Sequence, residues 1–233
     1  MENRYIVVAV KSWNKDVFDN IISKYEGEWL FVDKKEDLTY QKIQDFSPEF
    51  IFFPHWNWIV PAEIVNDNSW QCIGFHETDL PFGRGGSPIQ NLIIRGHKST
   101  KISAFKMIEG LDEGPIYLKE TLSLFGKAQE IFIRASIIIA GMIKRIIDER
   151  IIPLEQEGEV VIFSRRTEKD NEIQGDKISI KDVYNMIRML DAEGYPSAFL
   201  TSNNLKLEFS DAEWIDNELI AKVKIKKTEE KQI

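Results

Sequence analysis

Four short apolar runs, at residues 5–10, 29–32, 50–53 and 71–75, alternate with segments whose apolar residues fall at helical spacing. Runs this short, rich in Val, Ile and Phe, suit strands that are covered on both faces. The segments at 16–25 and 38–46 read as the helices between them. This β-α-β-α-β rhythm predicts an α/β fold: an open, twisted, mostly parallel sheet with right-handed crossovers and helices on both faces. No Gly-x-Gly-x-x-Gly follows the first run, so the usual dinucleotide fingerprint is absent.

Downstream, a short helix is expected at 62–65 and another at 88–94, where Pro88 suits a first helical turn. Strands at 101–108 and 116–122 are joined by a Gly, Asp and Pro-rich turn at 109–115. A long helix over 127–150 carries Ile and Ala around much of its circumference and is expected to pack inside the domain. Pro153 ends it and the composition turns polar. A strand at 160–164, a helix at 178–190 and strands at 198–200, 205–209 and 219–225 then predict a small α+β lobe. The division is therefore a main catalytic domain over 1–154 and a C-terminal lobe with a charged tail over 155–233. The tail at 226–233 is expected to fray.

Composition narrows the function. With 233 residues and 43% hydrophobic content the chain can bury a sizeable core. Its formal charge of −8 argues against a broad nucleic-acid footprint, so no nucleic-acid partner is expected. The single Cys72 excludes an intramolecular disulfide and leaves no cysteine cluster, so no metal is expected. The most apolar stretch, 135–143, falls far short of the ~20 residues that span a bilayer. The run at 5–10 soon meets Lys11, Asn14 and Lys15, unlike a cleavable signal. A cytoplasmic protein with no membrane partner is the expectation.

The stretch FHETDLPFGRGGSPIQNLI, residues 75–93, is where chemistry is concentrated. It places His76 at the end of an apolar run, then a loop stiffened by Pro81 and opened by Gly83, Gly85 and Gly86, then a helix start. Sites at the carboxyl edge of α/β sheets are built in that order. A lone His after a strand is more often structural than catalytic, yet it can hold or release a proton near neutrality. Asp112 ordinarily serves its turn, but beside His76 it would orient and charge the imidazole. Arg84 either binds an anion or braces the loop. Arg165-Arg166 is a phosphate candidate at the lobe junction, against the commoner reading of a solvated loop.

These residues also carry a resemblance. His76, Leu80-Pro81, Arg84-Gly85, Pro88-Ile89-Gln90 and Leu111-Asp112-Glu113-Gly114-Pro115 resemble the core of the 10-formyltetrahydrofolate-dependent formyltransferases, whose sheet is Rossmann-like. The resemblance implies that an amine attacks the formyl carbon on N10 of the folate and forms a tetrahedral oxyanion. His76 would donate to that oxygen and Asp112 would fix the imidazole; a placed donor is commonly worth ~3–4 kcal/mol. It further implies a folate site at Phe75, Leu80, Pro81, Arg84, Gly85, Met107, Leu111 and Glu113. The family places Asn two residues before the His, where this chain has Gly74. Either another group, such as His55 or Asn57, supplies the donor, or those residues only pack and cap.

Phe53-Pro54-His55-Trp56, Arg188-Met189-Leu190-Asp191 and Tyr195-Pro196 resemble the sugar N-formyltransferase subgroup of pseudaminic-acid-type pathways, and also the formylation domains of nonribosomal peptide synthetases. That resemblance implies a UDP-linked 4-amino-4,6-dideoxy sugar as acceptor, bound through Thr78, Asp79, Arg166 and Tyr195. A methionyl-tRNA or aminoacyl-carrier formyltransferase is the alternative. It fits less well because the chain is acidic and shows no evident basic, β-rich C-terminal domain. A catalytically silent folate-binding protein is a further alternative, kept open by Gly74.

Overall fold

The computed structural model describes residues 3–175 and 178–228. Strands β1 (Arg4–Val8), β2 (Glu28–Val32), β3 (Phe50–Phe53) and β4 (Gln71–His76) fall where the apolar runs predict them. They pair in parallel, with β1 between β2 and β3 and with β4 beside β3. Two antiparallel strands complete the sheet. With β5 assigned to Phe82–Gly85, they are β6 (Ser99–Lys106) and β7 (Ile116–Ser123), and the order is β2-β1-β3-β4-β6-β7.

Strand alternation divides the core in two. Tyr5, Val7, Phe50, Phe52, Ile73 and Phe75 face helices α1 (Ser12–Asn20) and α5 (Ala128–Glu149). Ile6, Val8, Ile51, Phe53 and Cys72 face α2 (Tyr40–Phe46) and α3 (Ala62–Val65). In α5 the residues Ala135, Ile139, Met142, Ile143 and Ile146 recur at helical spacing and are buried. Its other side is open, with Ile137 51% exposed, so the helix covers one sheet face rather than being enclosed. It is also the longest helix, and no helix among the described residues is long and apolar enough to cross a membrane.

The expected helix over 16–25 is corrected: α1 begins at Ser12 and stops at Asn20, and a single 3₁₀ turn covers Ile22–Lys24. Strand β5 was not expected. It lies inside the glycine-rich loop and pairs in parallel with β8 (Val161–Phe163). Gly85 sits there at φ 105, and a Cβ on it would stand 2.4 Å from the Phe163 carbonyl oxygen. Helix α4 (Pro88–Ile94) follows as expected.

Beyond β8, α6 (Ile180–Arg188) is capped by Ser179 and Asp182 in a reciprocal box. Strands β9 (Ala198–Ser202), β10 (Leu205–Ile215) and β11 (Glu218–Lys227) form an antiparallel sheet with longer strands than expected. Ile187, Ala198 and Ala212 join the same hydrophobic cluster as α5. The fraying expected from residue 226 is corrected at its start: Lys226 and Lys227 belong to β11, and Lys226 Nζ pairs with Glu208 at 2.6 Å. Residues 229–233 of that tail lie outside the described residues.

Phe52, fully buried, sits among Trp29, Phe50 and Phe75 with ring centroids 5.8–6.3 Å away. Phe52→Ala is expected to cost about 3–5 kcal/mol. Urea unfolding measures it, and a loss below about 1 kcal/mol would be inconsistent with this packing.

Candidate active site

The carboxyl ends of β3 and β4 open onto a cleft of about 930 Å³, the crevice position typical of α/β sheets. Phe53 pairs with Gly74 in register, so the segment after β3 and the end of β4 form one wall. His76 is the last residue of β4. Its Nε2 lies 2.8 Å from the Gly83 carbonyl oxygen. A carbonyl can only accept, so Nε2 carries hydrogen, and Nδ1 is the nitrogen that can gain or lose a proton. Nδ1 stands 3.7 Å from Asp112 Oδ2. That oxygen also accepts from the Gly85 backbone N–H at 2.9 Å, so Asp112 ties the hairpin turn to the loop beneath the imidazole.

The vacancy expected beside His76 is filled. A Cβ on Gly74 would meet Cε1 and Cζ of Phe105 at 2.7 Å and Met107 Cγ at 3.4 Å. Phe105 is 6% exposed. The space of the family's asparagine is thus taken by an apolar ring from the neighbouring strand, and Asn57 makes no side-chain hydrogen bond among the described residues from its exposed position on the cleft.

His55 is occupied elsewhere. Its Nε2 stands 3.0 Å from Glu77 Oε1, and the two side chains are 6% and 7% exposed. Its Nδ1 lies 3.3 Å from Asn14 Oδ1, which accepts from Ser136 Oγ at 2.6 Å. Both ring nitrogens therefore face oxygens, one of a carboxylate and one of an amide. Burial pushes the Glu77 carboxyl up, but the imidazoles of His55 and His76 outweigh it and hold Glu77 below the usual carboxylate range. His55 adopts φ 52, a left-handed conformation costing ~1–2 kcal/mol that its surroundings must hold. Sequence reading missed Glu77, and its one signal was adjacency to His76.

The far wall comes from α1, α5 and the C-terminal segment. Trp13, Phe132 and Tyr195 stack in series, with centroids 5.6 and 5.1 Å apart. Burial raises the Tyr195 phenol, Glu77 adds to this, and Arg165 opposes it. Lys11 Nζ lies 5.0 Å over the Tyr195 ring. The Arg166 backbone N–H donates to Ser87 Oγ at 3.1 Å, and its buried Nε has no partner. Burial holds that guanidinium below its usual range.

Of the residues singled out from sequence, His55, Asn57, Phe75, His76, Gly85, Met107, Leu111, Asp112, Arg166 and Tyr195 line this cleft. Thr78, Asp79, Leu80, Pro81, Arg84 and Glu113 do not. Thr78 Oγ1 donates to Gly83 O at 3.3 Å, and Asp79 pairs with Lys119 at 2.5 Å. Leu80 is fully buried and its N–H donates to Ser103 Oγ at 3.2 Å. Arg84 is held by Glu113 at 3.2 Å and by Gln156 Oε1 at 2.8 Å. Gln156, which the sequence gave no reason to choose, donates to the carbonyls of Asp112 and Gly114, each at 2.8 Å. Arg84 thus braces the turn that carries Asp112.

Residues 11–132 match the family model described as formyl transferase, and residues 168–226 match that of the methionyl-tRNA formyltransferase C-terminal domain. The chain belongs to the formyl transferase family. A solved structure titled methionyl-tRNA formyltransferase from Clostridium thermocellum is 45% identical, with TM-score 0.90, covering 97% of this chain and 99% of that one. A curated methionyl-tRNA formyltransferase from Wolbachia pipientis is 27% identical over 185 residues, 77% of this chain and 60% of its own length. The chain thus spans less than two thirds of that relative. A sugar N-formyltransferase from a Shewanella species is 14% identical, with TM-score 0.65, covering 94% of this chain and 96% of that one, a likeness of fold alone.

These matches correct the finer expectations. The sugar subgroup, the nucleotide-linked amino sugar as acceptor and the absence of a nucleic-acid partner are overturned by the 45% match and by the C-terminal match at 168–226. The expectation that no such β-rich C-terminal domain exists failed for a physical reason. Strands β10 and β11 are 11 and 10 residues long, and of the lysines on β11 Lys222 and Lys226 pair with Asp211 and Glu208, so the lobe is β-rich while the whole-chain charge of −8 says nothing of its strands. A chain total does not report a local surface.

Gly74→Ala is expected to destabilise the fold by about 1–3 kcal/mol, because a rigid ring must shift. In a Phe105→Ala background the same change should cost clearly less, since the colliding ring is gone. Urea melts of the four proteins test this, and additive costs would show that Phe105 is not what excludes a side chain at 74.

Proposed function

We propose that this chain transfers the formyl group of 10-formyltetrahydrofolate to the amine of methionyl-tRNA. The observation that carries the reading is the 45% identity, at nearly full coverage of both chains, with the Clostridium thermocellum structure of that title. The C-terminal match at 168–226 agrees with it.

The His76 side of the cleft fits a folate. Trp56, Met107 and Leu111 are among its lining residues, and the buried Trp56 indole N–H has no partner among the described residues. An apolar slot with a few unmet polar groups suits a flat heteroaromatic ring. When bound, the folate supplies the formyl carbon and takes one hydrogen at N10 in exchange for the one the amine loses. Phe75, Gly85, Met107 and Leu111 are the cofactor-side residues that line the cleft; Leu80, Pro81, Arg84 and Glu113 support them from outside.

His76 is assigned the proton-handling role. Its Nε2 is committed to Gly83 O, which fixes the ring and leaves Nδ1 toward Asp112. Nδ1, at 3.7 Å from Asp112, is outside hydrogen-bond reach of it and is the ring nitrogen left to meet the reacting groups, where a placed donor stabilises developing negative charge. Asp112 keeps the ring oriented, and the Gly85 N–H keeps Asp112 in place. Arg166, Lys11 and Tyr195 form the acceptor side, where two cations meet an aromatic wall suited to a nucleotide end. No carboxylate pairs with Lys11 or Arg165 within 4.0 Å among the described residues.

Purified protein supplied with 10-formyltetrahydrofolate and charged initiator tRNA is expected to yield formylmethionyl-tRNA, read by mass spectrometry of the released aminoacyl group. No product would overturn the reading. His76→Ala and Asp112→Asn are each expected to lower kcat/KM by about 100-fold or more. Either variant retaining most activity would remove that residue from the mechanism.

A further inference from the structure

We infer that Glu77 is the anchor for the reacting amine, a carboxylate that grips the acceptor's nitrogen on the side of the cleft opposite the folate. This rests on the amine-acceptor reading above. Three carboxylates line the cleft: Glu77, Glu109 and Asp112. Asp112 is spent on Gly85 and His76, and Glu109 stands exposed in the turn. Glu77 is 6% exposed and has no role in the chemistry so far assigned.

Its surroundings keep a charge there. His55 faces Glu77 at 3.0 Å and Asn14 at 3.3 Å, and Ser136 fixes the Asn14 oxygen from α5. Yet neither His55 Nε2 nor Glu77 Oε1 completes a hydrogen bond of good geometry, despite their closeness. A buried pair set this loosely recovers little of its desolvation cost, so stability alone does not account for it. Oε1 is turned to His55, but Glu77 also lines the cleft and no side chain among the described residues donates to its Oε2, which leaves that oxygen for a donor from the ligand.

An amine supplies that donor. Before it attacks, its N–H bonds must be directed away from the formyl carbon so that the lone pair points toward it, and an anion behind the nitrogen does this. His76 and Glu77 are consecutive, so their Cα atoms lie about 3.8 Å apart. The β4 face of Phe75 looks toward α1 and α5, where Asn14 and Ser136 reside, while Gly74 contacts Phe105 and Met107 on the other. The nitrogen held at Glu77 and the oxygen held near His76 therefore meet across the end of one strand.

Glu77→Gln keeps the shape and removes the charge. In steady-state assays with methionyl-tRNA its KM for the tRNA is expected to rise about tenfold or more, with a smaller fall in kcat. Its affinity for tetrahydrofolate, measured by fluorescence quenching, should stay within about twofold of wild type, and Glu77→Asp should recover part of the loss. An unchanged KM for the tRNA would overturn the inference. So would a parallel loss of tetrahydrofolate affinity, the mark of a merely structural residue. Should Glu77→Gln fail to fold, His55→Gln decides: it removes the imidazole that faces the carboxylate at 3.0 Å and frees Glu77 to shift, so KM must rise, and an unchanged KM overturns the inference. Wild-type turnover separates the two levels. If wild type formylates no methionyl-tRNA, reading and inference fall together; if it does and the variants match it, only the inference falls.

Discussion

The 2.8 Å contact between His76 Nε2 and the Gly83 carbonyl joins the end of a central strand to the loop that follows it. That loop needs several further ties. Ser103 Oγ donates to Thr78 O at 2.7 Å and accepts from the Leu80 N–H, pinning the loop to β6. Lys119 holds the Leu80 carbonyl at 2.5 Å from β7. Strand β8 then adds a parallel partner to β5. The proposed proton-handling role needs the His76 ring fixed within a fraction of an ångström, and these ties place the carbonyl that holds it.

The hairpin bearing Asp112 is fixed by different means. Its φ of 53 is a left-handed turn conformation that Asp tolerates. Gln156 clamps the carbonyls of Asp112 and Gly114, Arg84 holds Gln156 and Glu113, and Gly114 allows the close approach, since a Cβ there would fall 1.7 Å from the Lys106 carbonyl oxygen. The Leu-Asp-x-Gly-Pro pattern therefore records a steric demand as well as a carboxylate. Gly74 records another: Phe105 occupies the adjoining space, so the wall next to His76 is apolar where the family pattern places an amide. An apolar wall lowers the local dielectric and strengthens each remaining polar contact, which shifts the burden of charge stabilisation onto His76.

How much could be read from the chain follows from how local each signal is. The strands of the main sheet were legible because consecutive apolar residues buried on two faces leave no other reading. His76 and Asp112 were legible through motif and resemblance, and the structure sets them 3.7 Å apart. Strand β5 was not, because FGRG pairs only when β8 arrives from the far end of the chain. Gln156 and Glu77 were hidden for the same reason: their partners, Asp112 and His55, are distant in sequence. The acceptor was misread because a summed charge was used where a surface was needed.

The division of labour across β4 follows from strand geometry alone. Successive side chains leave opposite faces, so a site built at a strand end has two chemically distinct sides at no structural cost. On one side Phe105 and Met107 pack against Gly74, two residues before the fixed imidazole, and Trp56 lines the same cleft. On the other, Glu77 sits with His55 near Tyr195, and Lys11 and Arg165 line the same wall. The first environment is poor in charge and suits the flat, uncharged pterin of the proposed formyl donor. The second is rich in both signs, which suits the proposed acceptor, an amine beside phosphates. A group passing between two such ligands has to travel only the thickness of one strand.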